Sequence, residues 1–165
     1  MEKSKIIFNS SPLINLSKIE KLELVEKLFG KIIIPEAVFN ELIKDASSKK
    51  GSKEIKDLIN KGVIEVRKAE DKNIIKSFRK DIDYGEAEVI ALALEINADL
   101  IIIDEIEARR VAEIYNLKKT GFIGLLIKAY NKKYIDSFKD LLDLAIQKGF
   151  WINKNLYKNI IDKFE

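Results

Sequence analysis

The chain has 165 residues, 47% of them apolar, enough for one well-buried core and short for two domains. Its 30 basic and 27 acidic residues leave a formal charge of +3, so no global basic bias advertises nucleic acid, and any basic surface must be local. Cysteine and histidine are both absent, which excludes disulfides, thiolate and ordinary zinc sites, and Ser-His-Asp or Cys-His nucleophile activation; carboxylates with a hard metal ion remain as catalytic tools.

Ile6-Ile7-Phe8 is a short apolar run that ends at Asn9, and Ser10-Ser11-Pro12 follows. The pattern predicts a strand delivering into a helix, with Ser11 as N-cap and Pro12 as first helical residue. Leu13, Leu16, Ile19, Leu22, Leu24, Val25 and Leu28 then recur at helical spacing, in one helix or two short ones, until Gly30. Ile32-Ile33-Ile34 predicts a second buried strand, and Pro35 opens a helix whose apolar arc is Ala37, Val38, Phe39, Leu42 and Ile43. Glu41 falls at the edge of that arc, where a surface glutamate near Lys44 is the ordinary reading. Ser47 to Ser52 is polar and turn-rich and predicts a mobile surface loop. A helix from about Lys53 to Asn60, a strand from Val63 to Val66 and a helix near Asn73 to Arg79 come next.

The helix after Gly85 groups Glu86 with Val89, Ile90 and Ala93 on one face and predicts a solvated stripe for Glu88 and Glu95. Glu86 thus points inward, where a carboxylate loses solvation unless a cation or hydrogen bonds compensate. Asp83-Tyr84-Gly85-Glu86 also reads as a capping box, with Asp83 as N-cap and Glu86 at N3. Leu100-Ile101-Ile102-Ile103 has the β-branched content of a strand buried on both faces, and it closes on Asp104. Ligands of open α/β sheets bind at the carboxyl ends of strands, which is where Asp104 would sit; the ordinary alternative is that it caps the following helix. Ala108, Val111, Ala112 and Tyr115 give another helical stripe, Leu117 to Thr120 a short final strand, and Thr120 an N-cap for a helix through Gly121, Ile123, Leu126 and Ile127. C-terminal helices follow from about 135 to 164, over Ile135 to Gln147 and Asn153 to Phe164.

Strands alternating with helices predict an α/β fold in one domain over residues 1–165, a three-layer α/β/α sandwich around a mostly parallel sheet of about five strands. In such a sheet Asn9, Glu41, Glu86 and Asp104 converge at one edge. No stretch has the apolar length of a membrane span and no signal-peptide pattern opens the chain, so a soluble, cytoplasmic protein is expected.

The constellation resembles the PIN domain, a family of metal-dependent ribonucleases. The matching stretches are Asn9-Ser10-Ser11-Pro12-Leu13-Ile14 against an NSSPLI-like opening, Gly85 to Ala93 against a GEAEAIALA-like helix, Ile34 to Leu42, Leu100 to Asp104, Arg109-Arg110-Val111-Ala112 and Gly149-Phe150-Trp151-Ile152. The resemblance implies Asn9, Glu41, Glu86 and Asp104 as catalytic positions, with Glu86, Asp104 and Glu41 as ligands of Mg²⁺ or Mn²⁺ and Glu107 or Glu105 near a more variable fifth acidic position. It assigns Ser10 or Ser11 to a hydroxyl beside the first acidic position. Asn9 departs from the pattern, offering a neutral carbonyl oxygen where an aspartate is usual.

The function expected is metal-assisted hydrolysis of RNA phosphodiesters. Arg109 and Arg110, with Lys118, Lys119, Lys132 and Lys133, are the candidates for holding the RNA backbone. Family resemblance extends this to a toxin paired with an antitoxin polypeptide and to a homodimer; Trp151, Leu156, Ile160 and Phe164 form an apolar stripe whose ordinary use is to complete the domain's own core and whose alternative is to serve that dimer. The alternative is a non-catalytic RNA- or protein-binding module, with Asn9 marking a weakened metal site. A phosphate-processing enzyme with an aspartate nucleophile is a third reading, disfavoured because the first strand ends in Asn9 and no Gly-rich phosphate loop appears.

Overall fold

Every residue of the first two strands is buried, as a strand must be when helices cover both faces of its sheet. In the computed structural model, which describes residues 3–44 and 49–164, five strands form one sheet: β1 (Ile6–Phe8), β2 (Ile32–Pro35), β3 (Ile64–Arg67), β4 (Leu100–Ile102) and β5 (Lys119–Thr120). All neighbours are parallel, in the order β3-β2-β1-β4-β5. The chain therefore winds outward from β1 to β3, then crosses to the other side of β1. This reversal leaves a crevice at the carboxyl ends of β1 and β4, where α/β sheets take ligands.

The helices are α1 (Ser10–Lys18), α2 (Glu23–Phe29), α3 (Glu36–Lys44), α4 (Lys49–Asn60), α5 (Lys72–Phe78), α6 (Tyr84–Ile96), α7 (Ile106–Ile114), α8 (Phe122–Asn131), α9 (Phe138–Gln147) and α10 (Lys154–Phe164). They complete a three-layer α/β/α fold. Helix α6 lies against β2, β1 and β4 and gathers α3, α5 and α7 around itself, while α1, α2 and α8 pack together and α9 lies on α8. None of the helices is long and apolar enough to cross a membrane among the described residues.

Several local expectations change. Helix α1 begins at Ser10, with Asn9 rather than Ser11 as N-cap; proline fits anywhere in a first turn, whose N–H groups have no acceptor within the helix. Pro35 ends β2 instead of opening α3. Lys49 to Ser52 belong to α4, not to a loop, and Gly51 is buried; residues 47 and 48 of the expected loop lie outside the described residues. Gly121, not Thr120, is the N-cap of α8, because Thr120 is held in β5. The C-terminal stripe divides: the Phe164 ring lies 5.4 Å from that of Phe138, whereas Trp151 is 80% exposed.

Glu88 is the largest departure. Its carboxylate is buried, not solvated, because α6 from Gly85 to Ala93 is covered all round and has no wet face to offer. Glu88 Oε1 accepts from Ala37 N at 2.8 Å and Oε2 from Ala69 N at 3.0 Å. It thereby pins the first turn of α3 and the segment before α5 to the central helix, using N–H groups without helical partners. Glu88→Ala would leave both donors buried and unpaired, at a cost of roughly 2–6 kcal/mol. Urea denaturation should show that loss, and a change within error of zero would mean water replaces the carboxylate.

Candidate functional site

Three buried side-chain oxygens among the described residues have no hydrogen-bond partner: Asn9 Oδ1, Glu86 Oε2 and Asp104 Oδ2. All three belong to the crevice beside β1 and β4. Buried polar atoms are ordinarily satisfied, so three orphans in one place point to a group that would complete them.

Each reaches its place by a local device. Asn9 follows β1, whose ladder its own N–H extends by donating to Ile102 O at 2.9 Å. An asparagine N-cap normally accepts from the N–H of the second or third helical residue. Here the third is Pro12, which has no N–H, and the Asn9 side chain makes no cap bond. Its amide instead donates through Nδ2 to Glu105 Oε2 at 3.2 Å, leaving Oδ1 free.

Glu86 closes the expected capping box: Oε1 accepts from Asp83 N at 3.0 Å, and Glu86 N donates to Asp83 Oδ1 at 2.8 Å. One oxygen caps the helix and the other remains unpartnered, so both readings of Glu86 hold. Asp104 divides its oxygens in the same way. Its Oδ1 accepts from Phe122 N at 3.0 Å, capping α8, the second helix after it, instead of α7. A side chain on Gly121 would overlap that oxygen, so the glycine makes the approach possible.

Glu41, half-buried on α3, accepts from Ser10 Oγ at 2.6 Å and lies against Gly85, where a Cβ would overlap its Oε1. Glu105 joins the group from the N-cap of α7, its two oxygens held by Asn9 Nδ2 and by Ser11 Oγ at 3.0 Å. Ser10 and Ser11 therefore each position a carboxylate. Glu107, the other candidate for a fifth acid, is exposed and pairs with Arg110 at 3.1 Å, although it lines the same cleft as Glu86 and Glu105.

Crowding and burial shift the acids. Burial pushes the Glu86 carboxyl up to about 7, against its bond from the Asp83 backbone, and the charges of Asp83 and Glu105 add to the rise. Burial also raises Asp104, opposed by the bond from Phe122 and the Arg109 charge, and raises Glu41, opposed by Ser10. Glu105 repels all three.

The expected RNA-holding cations occupy varied settings. Arg109 is half-buried, donating from Nη1 to Ile103 O at 3.3 Å, which makes it a support for Asp104. Lys119 stands 3.6 Å from Glu113, and Lys118, Lys132 and Lys133 are exposed. The cleft of about 550 Å³ that opens onto Glu86 and Glu105 is bordered instead by Arg79 and Lys80. Their signal in the sequence is adjacency: Arg79 and Lys80 precede Glu86 by seven and six residues, with the capping turn between.

Among the described residues no three acidic side chains are gathered closely enough to hold a metal ion by themselves. The unpartnered atoms are nevertheless all hard oxygen donors, two of them on acids whose charge burial disfavors, and that donor chemistry fits a divalent cation such as Mg²⁺ or Mn²⁺.

Fold and site together define an α/β protein with an acidic crevice at the topological switch of a parallel sheet. The family model described as a PIN domain matches residues 5–165, and the chain belongs to the PIN-domain family, a nuclease-type fold. No curated protein matches the sequence.

The raised pKa of Glu86 sets a pH dependence. An acid that holds its proton more tightly when folded contributes no penalty below its unfolded value near 4.5, and a growing one as pH rises through about 7. In chelator, the Tm of the protein relative to its Glu86→Gln variant should fall across that window and level off above it. Parallel Tm profiles would show that Glu86 is not the titrating group.

Proposed function

We propose that this protein is a divalent-cation-dependent ribonuclease that hydrolyses RNA phosphodiester bonds in the crevice between β1 and β4. The observation that carries the reading is the trio of unpartnered oxygens on Asn9, Glu86 and Asp104. A Mg²⁺ or Mn²⁺ ion held there by Glu86 and Asp104, with Glu41 or Glu105 at the flank, would supply acidified water and a counter-charge for the phosphate. The chain provides the rest. Asp104 is fixed through Oδ1 by Phe122 N, so Oδ2 keeps its aim. Glu86 is anchored in the same way, Oε1 by Asp83 N, with Oε2 left open. Ser10 and Ser11 restrain Glu41 and Glu105, limiting the reorganisation that charge development demands.

Asn9 favours a second reading, a non-catalytic RNA- or protein-binding module, because a neutral amide stands where an additional charge would strengthen cation binding. The ribonuclease reading carries with it a cytoplasmic location, an antitoxin-like polypeptide partner and a homodimer. For the last, Trp151 and Leu156 of the C-terminal stripe are exposed, as are Ile106 and Ile114 elsewhere, and a single-chain mass at micromolar concentration would exclude it as the resting state.

Purified protein given a mixed RNA pool should cut it with Mn²⁺ and stop in chelator. Asp104→Asn, which keeps the oxygen that caps α8, should lose roughly 100-fold or more of that rate. Cutting that is equal in the variant would mean contamination or another site; RNA binding without cutting would establish the second reading.

A further inference from the structure

The described molecule has four arginines, and their settings differ. Arg67 and Arg110 each meet a carboxylate at 3.1 Å, and Arg109 is turned inward to Ile103 O. Arg79 has no carboxylate partner among the described residues; its guanidinium lies 5.2 Å from the centre of the Tyr84 ring. Tyr84 is the first residue of α6, two before Glu86, and remains 42% exposed. Arg79 borders the cleft that Lys80, Glu86 and Glu105 also line.

We propose that Tyr84 and Arg79 form a nucleotide-binding subsite at the mouth of the acidic crevice, stacking an unpaired base of single-stranded RNA and holding its phosphate. The inference rests on the ribonuclease reading for its substrate, but it concerns binding and is measured without cleavage. An acidic floor repels a phosphate chain, so the strand needs a cation at the rim to approach it. Arg79 supplies one whose N–H donors are not committed to a neighbouring acid, with Lys80 beside it. The cation–π contact holds the ring and guanidinium together while the exposed part of the ring offers an apolar surface. Stacking on an aromatic or guanidinium plane is how proteins take up splayed bases, and a duplex, whose bases are already stacked, presents none. The subsite thus selects single strands without selecting sequence, and it places the adjoining phosphate near Glu86.

The test uses the full chain carrying Asp104→Asn in Mg²⁺, and the unaltered chain in chelator, titrated into a fluorescent single-stranded oligoribonucleotide and followed by anisotropy. Adding Tyr84→Ala should weaken binding roughly 5- to 100-fold, while Tyr84→Phe, which keeps the ring, stays within about twofold. Against an abasic strand of equal length the Tyr84→Ala effect should vanish; Arg79→Ala should weaken both strands. Thermal melts of each variant separate lost folding from lost stacking. Tyr84→Ala binding like its parent, an equal loss on the abasic strand, a preference for duplex, or no RNA binding at all would overturn the proposal. A chain that never cuts RNA but shows the Tyr84 pattern would retain the subsite and lose the nuclease.

Discussion

Like charges brought together out of water repel and lose solvation, and this constraint organises the carboxyl edge of the sheet. Glu86 and Asp104 each surrender one oxygen to a backbone N–H at a helix start and keep the other unpartnered. Glu41 and Glu105 are steadied by hydroxyls and an amide. The donors are single and neutral, so they hold the acids in position without removing the incentive to bind a cation. Burial outweighs them, as the raised pKa values of Glu41, Glu86 and Asp104 record. The edge is held in place and still carries oxygens without partners.

That balance depends on the central helix. Because α6 is buried all round from Gly85 to Ala93, its position is fixed by packing, and Glu88 fastens the start of α3 to it. Helix α3 carries Glu41, and its approach to the first turn of α6 is close enough that Gly85 can bear no side chain without displacing that acid. Glu88 and Glu86 thus sit on one helix, and Glu41 is fastened to it through α3. Their difference lies in satisfaction: both Glu88 oxygens are bonded, whereas Glu86 and Asp104 each leave one open.

The elements themselves were legible in the sequence because their patterns are local, although the starts of α1, α3, α4 and α8 fall a few residues from where the pattern put them. The apolar runs closing on Asn9 and Asp104, the inward face of Glu86 and the capping box at Asp83 needed only neighbouring residues, and the parallel sheet followed from alternation. Long-range partners were not legible. Helical periodicity assigned Glu88 to solvent because the wheel assumes one wet face, and α6 has none. Asp104 caps α8 across 18 residues of chain, past the helix it directly precedes. Glu105 could not be separated from Glu107 by spacing; the distinction lies in contacts with Asn9 and Ser11, delivered by another strand. Arg79 gains its meaning from the cleft it borders, and sequence carried only its nearness to the Glu86 helix.

Asn9 and Glu105 are best understood as a pair. An aspartate at position 9 would present an acceptor where the Nδ2 donor now meets Glu105, setting two carboxylates against one another across 3.2 Å. The amide avoids that repulsion, and Pro12 removes one of the two N–H groups that could draw the side chain off to cap its own helix. With Asn9 neutral, Glu105 stays in the crevice, held by two side-chain donors. The departure from the usual first aspartate therefore does more than subtract a charge. It gives the acid at the start of α7 a donor in place of a like charge, while an uncharged oxygen of Asn9 is left without a partner.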